Sequence, residues 1–93
     1  MNINYSEEKN QQNIEKHSIS FERIDDFQWE YSLTEQDRRK NYDEPRFISY
    51  GFIYHRLHVL VWTLREYKMR PISLRKANSR EERKYYERMG TRD

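Results

Sequence analysis

Four arginines, Arg46, Arg65, Arg70 and Arg75, with Lys76 beside the last, fall where strand-like segments begin or end, and they are the side chains of this sequence best suited to chemistry. A guanidinium is planar, keeps its proton, and offers two parallel charge-assisted hydrogen bonds to a phosphate. The run Met69-Arg-Pro-Ile-Ser-Leu-Arg-Lys-Ala-Asn-Ser-Arg-Glu-Glu-Arg-Lys-Tyr-Tyr86 reads as a basic strand feeding a capped helix, which sets several permanent cations at the end of a sheet. In RNA cleavage without a metal, a 2′-hydroxyl attacks the adjacent phosphate and negative charge builds on the non-bridging oxygens, where fixed guanidinium groups lower the barrier. A tuned side chain must also move a proton, and His17 is the leading candidate. Any one of these arginines alone is more often a solvated surface charge. Together they point to polyanion binding.

Other chemistries find little support. His17, His55 and His58 are dispersed, with no metal-ligand spacing, so no metal is assigned. There is no cysteine for a disulfide or thiolate site, and two glycines cannot build a phosphate-cradling loop. No cofactor is implied. A length of 93 residues, 34% of them hydrophobic, allows one small domain, residues 1–93, with a modest core. Charged residues make up 37% of the chain, yet 18 Lys and Arg against 16 Asp and Glu leave a net charge of only +2. Placement therefore matters more than total: acidic residues dominate positions 22–30, and cations outnumber anions from Arg65 onward. The chain shows no apolar run of membrane-spanning length and no signal-peptide pattern at its start, so a cytoplasmic protein is expected.

The elements that must position these side chains follow from periodicity. Ser6 caps a helix running to about His17, with Asn10, Asn13, Ile14 and His17 on one stripe, an unusually polar set for a core-facing surface. Ser20 caps a second short helix that buries Phe21, Ile24 and Phe27. Trp29, Tyr31 and Leu33 alternate with polar residues as in a half-buried strand, and the polar stretch from Glu35 to Pro45 reads as a mobile loop. Strands are expected from Arg46 to Ile53, from Leu57 to Leu64 as the buried central strand, and from Met69 to Arg75. Pro71 lacks an N–H, which requires an edge strand or a bulge. Either Asn78 or Ser79 caps the last helix, each with a capping-box glutamate, and Gly90 ends it. The class is α+β: N-terminal helices, an antiparallel sheet of three to four strands, and a C-terminal helix. In a chain this poor in leucine and valine, the eight tyrosines and two tryptophans are expected to form the core, Tyr85 and Tyr86 among them.

Specific residues also carry a resemblance. Lys9-Asn10, Asn13, Lys16-His17 and Ser20-Phe21, then Arg46-Phe47, Arg56-Leu57, Val59, Val61, Thr63 and Arg65, and finally Arg70-Pro-Ile-Ser-Leu-Arg75-Lys76-Ala77 with Glu81 and Tyr85, closely resemble the BrnT toxin family, in order and over nearly the whole chain. The resemblance implies a RelE-like fold, metal-independent ribonuclease activity that inhibits translation, and a BrnA-type antitoxin. That antitoxin would carry a ribbon-helix-helix domain, through which alone the complex would bind operator DNA. Motif and chemistry together assign Arg46, Arg65 and Arg75 to the scissile phosphate, His17 to proton transfer, Lys16, Arg70 and Lys76 to the RNA backbone, and Tyr85 to orienting or stacking. The sequence departs from the family pattern at Ser18 and His55, where glycine is usual, and at Pro71 and Leu74. Two other readings compete: an inactive homologue that binds nucleic acid without cutting it, and an interaction module presenting Asp25 to Tyr31.

Overall fold

The computed structural model describes residues 2–90. Helix α1, Glu7–His17, starts where the Ser6 side chain accepts from the Lys9 N–H, with Glu7 and Glu8 at its positive end, and stops at Ser18. Ser18 has φ 62°, the left-handed region that glycine adopts without a steric cost, so the glycine that the resemblance leads one to expect there would suit the turn. A 3-10 segment, Phe21–Asp26, is capped by Ser20. A four-stranded antiparallel sheet follows in sequential order: β1 Leu33–Gln36, β2 Arg46–Ile53, β3 Arg56–Arg65 and β4 Lys68–Lys76. Helix α2, Ser79–Met89, closes the chain, with Asn78 as its cap in a complete capping box with Glu81. The expected α+β class is what is observed.

Two expectations are corrected. Trp29–Tyr31 is a 3-10 turn, and the strand begins only at Leu33. Trp29 is held in an aromatic group, its ring 4.7 Å from Phe27 and 5.9 Å from Trp62, while the Tyr85 hydroxyl donates to the Tyr31 carbonyl. Tertiary contacts thus override an alternation too short to specify a strand. Nor does an unstructured loop begin at Glu35. β1 continues to Gln36, and the following turn folds around buried Asp37, whose carboxylate accepts from the Arg39 guanidinium at 2.9 Å and from the Tyr42 hydroxyl at 3.1 Å. Those donors hold the Asp37 carboxyl well below the usual carboxylate range.

The sheet buries apolar groups on both faces. Phe21, Ile24 and Phe27 pack with Ile53, Leu60, Trp62, Met69 and Leu74 on one. Tyr50, Phe52, Leu57, Val59 and Ala77 pack with Tyr85 of α2 on the other. On the first face Gly51 sits directly beneath the Phe27 ring: a Cβ there would lie 2.4 Å and 2.7 Å from two ring carbons. The ring is wedged against Trp29 and cannot withdraw freely. Gly51→Ala is therefore expected to lower stability by about 1–3 kcal/mol through overpacking, read by chemical denaturation, whereas the same change at Gly90, with open space around it, tests only its positive φ.

β4 is an edge strand and accommodates Pro71 at a register shift. Trp62 pairs with Pro71 and Val61 with Ser73, leaving Ile72 as the extra residue of a bulge. The outer side of β4 is covered in two places. Asn2 and Asn4 backbone groups bond to Met69, and the Asn13 side chain of α1 takes the Leu74 N–H at 3.1 Å and donates to the Leu74 carbonyl at 2.9 Å. The polar stripe of α1 is thus a hydrogen-bonding surface for a strand edge, and Asn10 repeats the device by accepting from the Phe21 N–H at 2.7 Å.

Candidate nucleic-acid interface

Strand register decides which cations meet. Arg46 lies opposite Thr63, Thr63 opposite Arg70, and Val59 opposite Arg75, while Arg65 follows Thr63 by two residues. Opposed residues share a face and alternate residues return to it, so Arg46, Arg65, Arg70 and Arg75 all lie on the face that carries α2. Helix α2 covers only the Tyr50, Phe52 and Val59 end of that face. Beyond it the cations are open to solvent.

They form two groups along β4. Arg46, Arg65 and Arg70 line a cleft of about 490 Å³ with Lys9, Tyr42 and Glu44. The Arg46 guanidinium lies 4.2 Å from the Tyr42 ring centre. Arg65 donates to the Glu44 carboxylate from both Nε and Nη2, which draws the carboxyl down and the guanidinium up in pKa. Among the described residues no carboxylate pairs with Arg46 or Arg70, so these two are the cations most available to an incoming phosphate.

At the far end of β4 a broader groove of about 800 Å³ is lined by Lys16, His17, Arg23, His58, Arg75 and Lys76. Arg75 belongs to this groove alone. Its Nη1 and Nη2 donate to the two Glu81 oxygens at 2.8 Å and 2.7 Å, and Glu81 also accepts from the Asn78 N–H as part of the α2 cap. The pair fixes the guanidinium but leaves its Nε–H unassigned. Half-buried His17 has its pKa lowered from 6.5 by burial first and then by the Lys16 and Arg75 charges, so it is neutral at physiological pH and able to accept a proton.

The single phosphate grip expected from the sequence is therefore split: His17, Lys16 and Lys76 accompany Arg75, and Arg46, Arg65 and Arg70 stand apart. Tyr85 joins neither group. It is 1% exposed, packed edge-on against Phe52, and its hydroxyl donates to the Tyr31 carbonyl, so the expected orienting or stacking role is not open to it in this structure. Of the two departures before Arg75, Pro71 adjoins the bulge and Leu74 is wholly buried in the core, and Arg75 pairs with Val59.

Two residues not singled out from the sequence, Glu44 and His58, emerge here, and Glu81, named in the resemblance without a role, gains one. Glu44 and Glu81 set two of the arginines. His58 is buried, and its Nδ1 lies 2.8 Å from the Arg56 carbonyl; because a carbonyl only accepts, Nδ1 carries the proton. The one signal for His58 was a histidine inside an apolar strand. Among the described residues no three His, Asp or Glu side chains converge as a metal site requires, and no helix is long and apolar enough to cross a membrane.

A small α+β fold with its arginines in two groups beside one sheet presents a surface whose charge suits a polyanion. The family model described as ribonuclease toxin, BrnT, of type II toxin-antitoxin systems matches residues 5–81, and the chain belongs to that family. No curated protein matches it. Membership makes it a toxin of the ribonuclease class, with an RNA substrate and an antitoxin partner.

Proposed function

We propose that the chain is a single-domain, metal-independent endoribonuclease that holds an RNA strand along the β4 side of the sheet and cuts it beside Arg75 and His17. The observation that supports this most is the shared groove: a neutral histidine and a bidentately fixed guanidinium line one opening. In this reaction His17 takes the proton of a 2′-hydroxyl, the 2′ oxygen bonds to phosphorus, and the bond to the 5′ oxygen breaks. A 2′,3′-cyclic phosphate results, and the 5′ oxygen leaves as a hydroxyl after taking a proton from solvent. Arg75 bonds to the non-bridging oxygens as their charge grows. Arg46, Arg65 and Arg70 hold neighbouring phosphates, and Lys16 and Lys76 steer the backbone.

The sign of the pH dependence follows from His17 acting as base. Its folded pKa lies below 6.5, so activity rises as pH climbs through the acid range and is flat by neutrality. His17→Gln is expected to remove that acid limb and to lower the cleavage rate by about 10²–10⁴-fold. An unchanged rate and profile in that variant would remove His17 from the chemistry. The protein would act in the cytoplasm, arrest translation by destroying RNA, and be silenced by a BrnA-type antitoxin whose ribbon-helix-helix domain carries the complex to operator DNA. Co-expression with such an antitoxin should restore growth that the toxin alone stops.

A further inference from the structure

The β3–β4 turn carries a feature that neither core packing nor the arginine chemistry uses. Its two central residues, Glu66 and Tyr67, have φ 53° and 64°, the pattern of a type I′ hairpin turn, in which asparagine and glycine are favoured because other side chains meet steric cost there. Tyrosine is a poor choice for such a position. Tyr67 is also fully exposed, at 101%, in a chain whose large aromatic rings are mostly spent on the core. The other hairpin tip gives the contrast: Tyr54 also has a positive φ, 55°, but the Arg23 guanidinium covers its ring at 4.9 Å. Among the described residues no ring, cation or hydrogen-bonding group engages Tyr67.

Cations outnumber the carboxylates near it, which are Glu66 in the turn and Glu44, paired with Arg65. Arg65 and Lys68 are opposed at the base of the turn, and Arg70, lining the open cleft, is three residues away, roughly 10 Å along an extended chain. A flat ring beside a phosphate-binding row matches one ligand chemistry, a single-stranded nucleic acid whose backbone lies on the cations and whose base is free to stack. We propose that Tyr67 is a base-stacking residue that seats a nucleotide of the RNA next to the phosphate held by Arg65 and Arg70. This placement rests on the reading of the sheet face as an RNA site. The strained turn is then retained because it aims the ring away from the sheet, at a cost to stability.

A mixed-sequence 2′-O-methyl oligonucleotide, which binds but cannot be cut because the attacking hydroxyl is blocked, tests it by fluorescence anisotropy at several salt concentrations. Tyr67→Ala should weaken binding about tenfold while leaving the salt slope unchanged, and Tyr67→Trp should bind like the original. Lys68→Ala should instead reduce the slope by about one. Tyr67→Gly, which relieves the turn, should melt at a higher temperature yet bind as weakly as Tyr67→Ala, so lost affinity cannot be blamed on lost folding. Equal binding by Tyr67→Ala and the original protein overturns the stacking role while sparing the RNA reading. Loss of antitoxin affinity alone in that variant overturns it in favour of a protein contact. Failure of the original protein to bind the oligonucleotide overturns both.

Discussion

Arg75→Ala should lower the rate of RNA cleavage by about 10²–10³-fold, the usual cost of removing one preorganised donor to a developing oxyanion. The guanidinium is one-third exposed at the groove and held in place by both Glu81 oxygens, so it needs no reordering when charge builds on a phosphate. The same substitution breaks a partly exposed ion pair, worth about 1 kcal/mol or less. In a domain of this size that shifts the melting temperature by roughly 4–8 °C at most. Activity and stability therefore separate: a large kinetic loss with a small thermal one. Arg75→Lys keeps the charge but not the fork and should fall between. A variant that melts normally and cuts within about threefold of the original would show that Arg75 serves only to hold α2, and the chemistry would have to be placed at the other cleft.

Asn13→Ala carries the largest expected cost to the fold. One side chain, itself 6% exposed, accepts from the Leu74 N–H and donates to the carbonyls of Leu74 and Ile19, both at 2.9 Å. Alanine leaves the outward-facing backbone groups of a buried edge strand without partners, and each unsatisfied group costs about 1–3 kcal/mol. A total loss of about 3 kcal/mol is expected, a large fraction of the stability of a 93-residue domain and a fall in melting temperature on the order of 15 °C. Asn13→Asp should be comparably harmful, because a carboxylate can accept from Leu74 but cannot donate to its carbonyl. A change of only a few degrees in either variant would mean that water reaches the β4 edge and replaces the side chain.

These two residues also show what the sequence makes legible. The arginines and His17 were visible as chemistry, and the strands carrying Arg46 and Arg75 were visible from their apolar alternation. The need for an edge or a bulge at Pro71 follows from its missing N–H alone, and both are present. Whether the cations converge is a different matter, because it depends on register. A face is shared by Arg46, Arg70 and Arg75 only because of the single extra residue at Ile72, which local pattern does not reveal. Long-range partners were hidden for the same reason. Asn13 bonds to a strand 61 positions away, and its place on a polar stripe gave no hint that the stripe faces backbone. Trp29 to Tyr31 looked like a strand because two or three alternations cannot be told from a turn fixed by aromatic packing. Tyr85 shows the two kinds of reading side by side: composition places it in the core, where it lies, while the motif suggests orienting or stacking, although its ring packs on Phe52 and its hydroxyl bonds to Tyr31 inside the protein.

In the proposed reaction His17 and Arg75 promote internal attack of the 2′-hydroxyl on the RNA phosphate. The most direct test is to incubate the purified protein with end-labelled single-stranded RNA in the presence of a chelator and to examine the ends of the products. Fragments carrying 2′,3′-cyclic phosphate and 5′-hydroxyl termini should form with chelator present and be lost in Arg75→Ala. RNA that is bound by the folded protein but stays intact, or that is cut only when a divalent metal is restored, would contradict the proposed reaction.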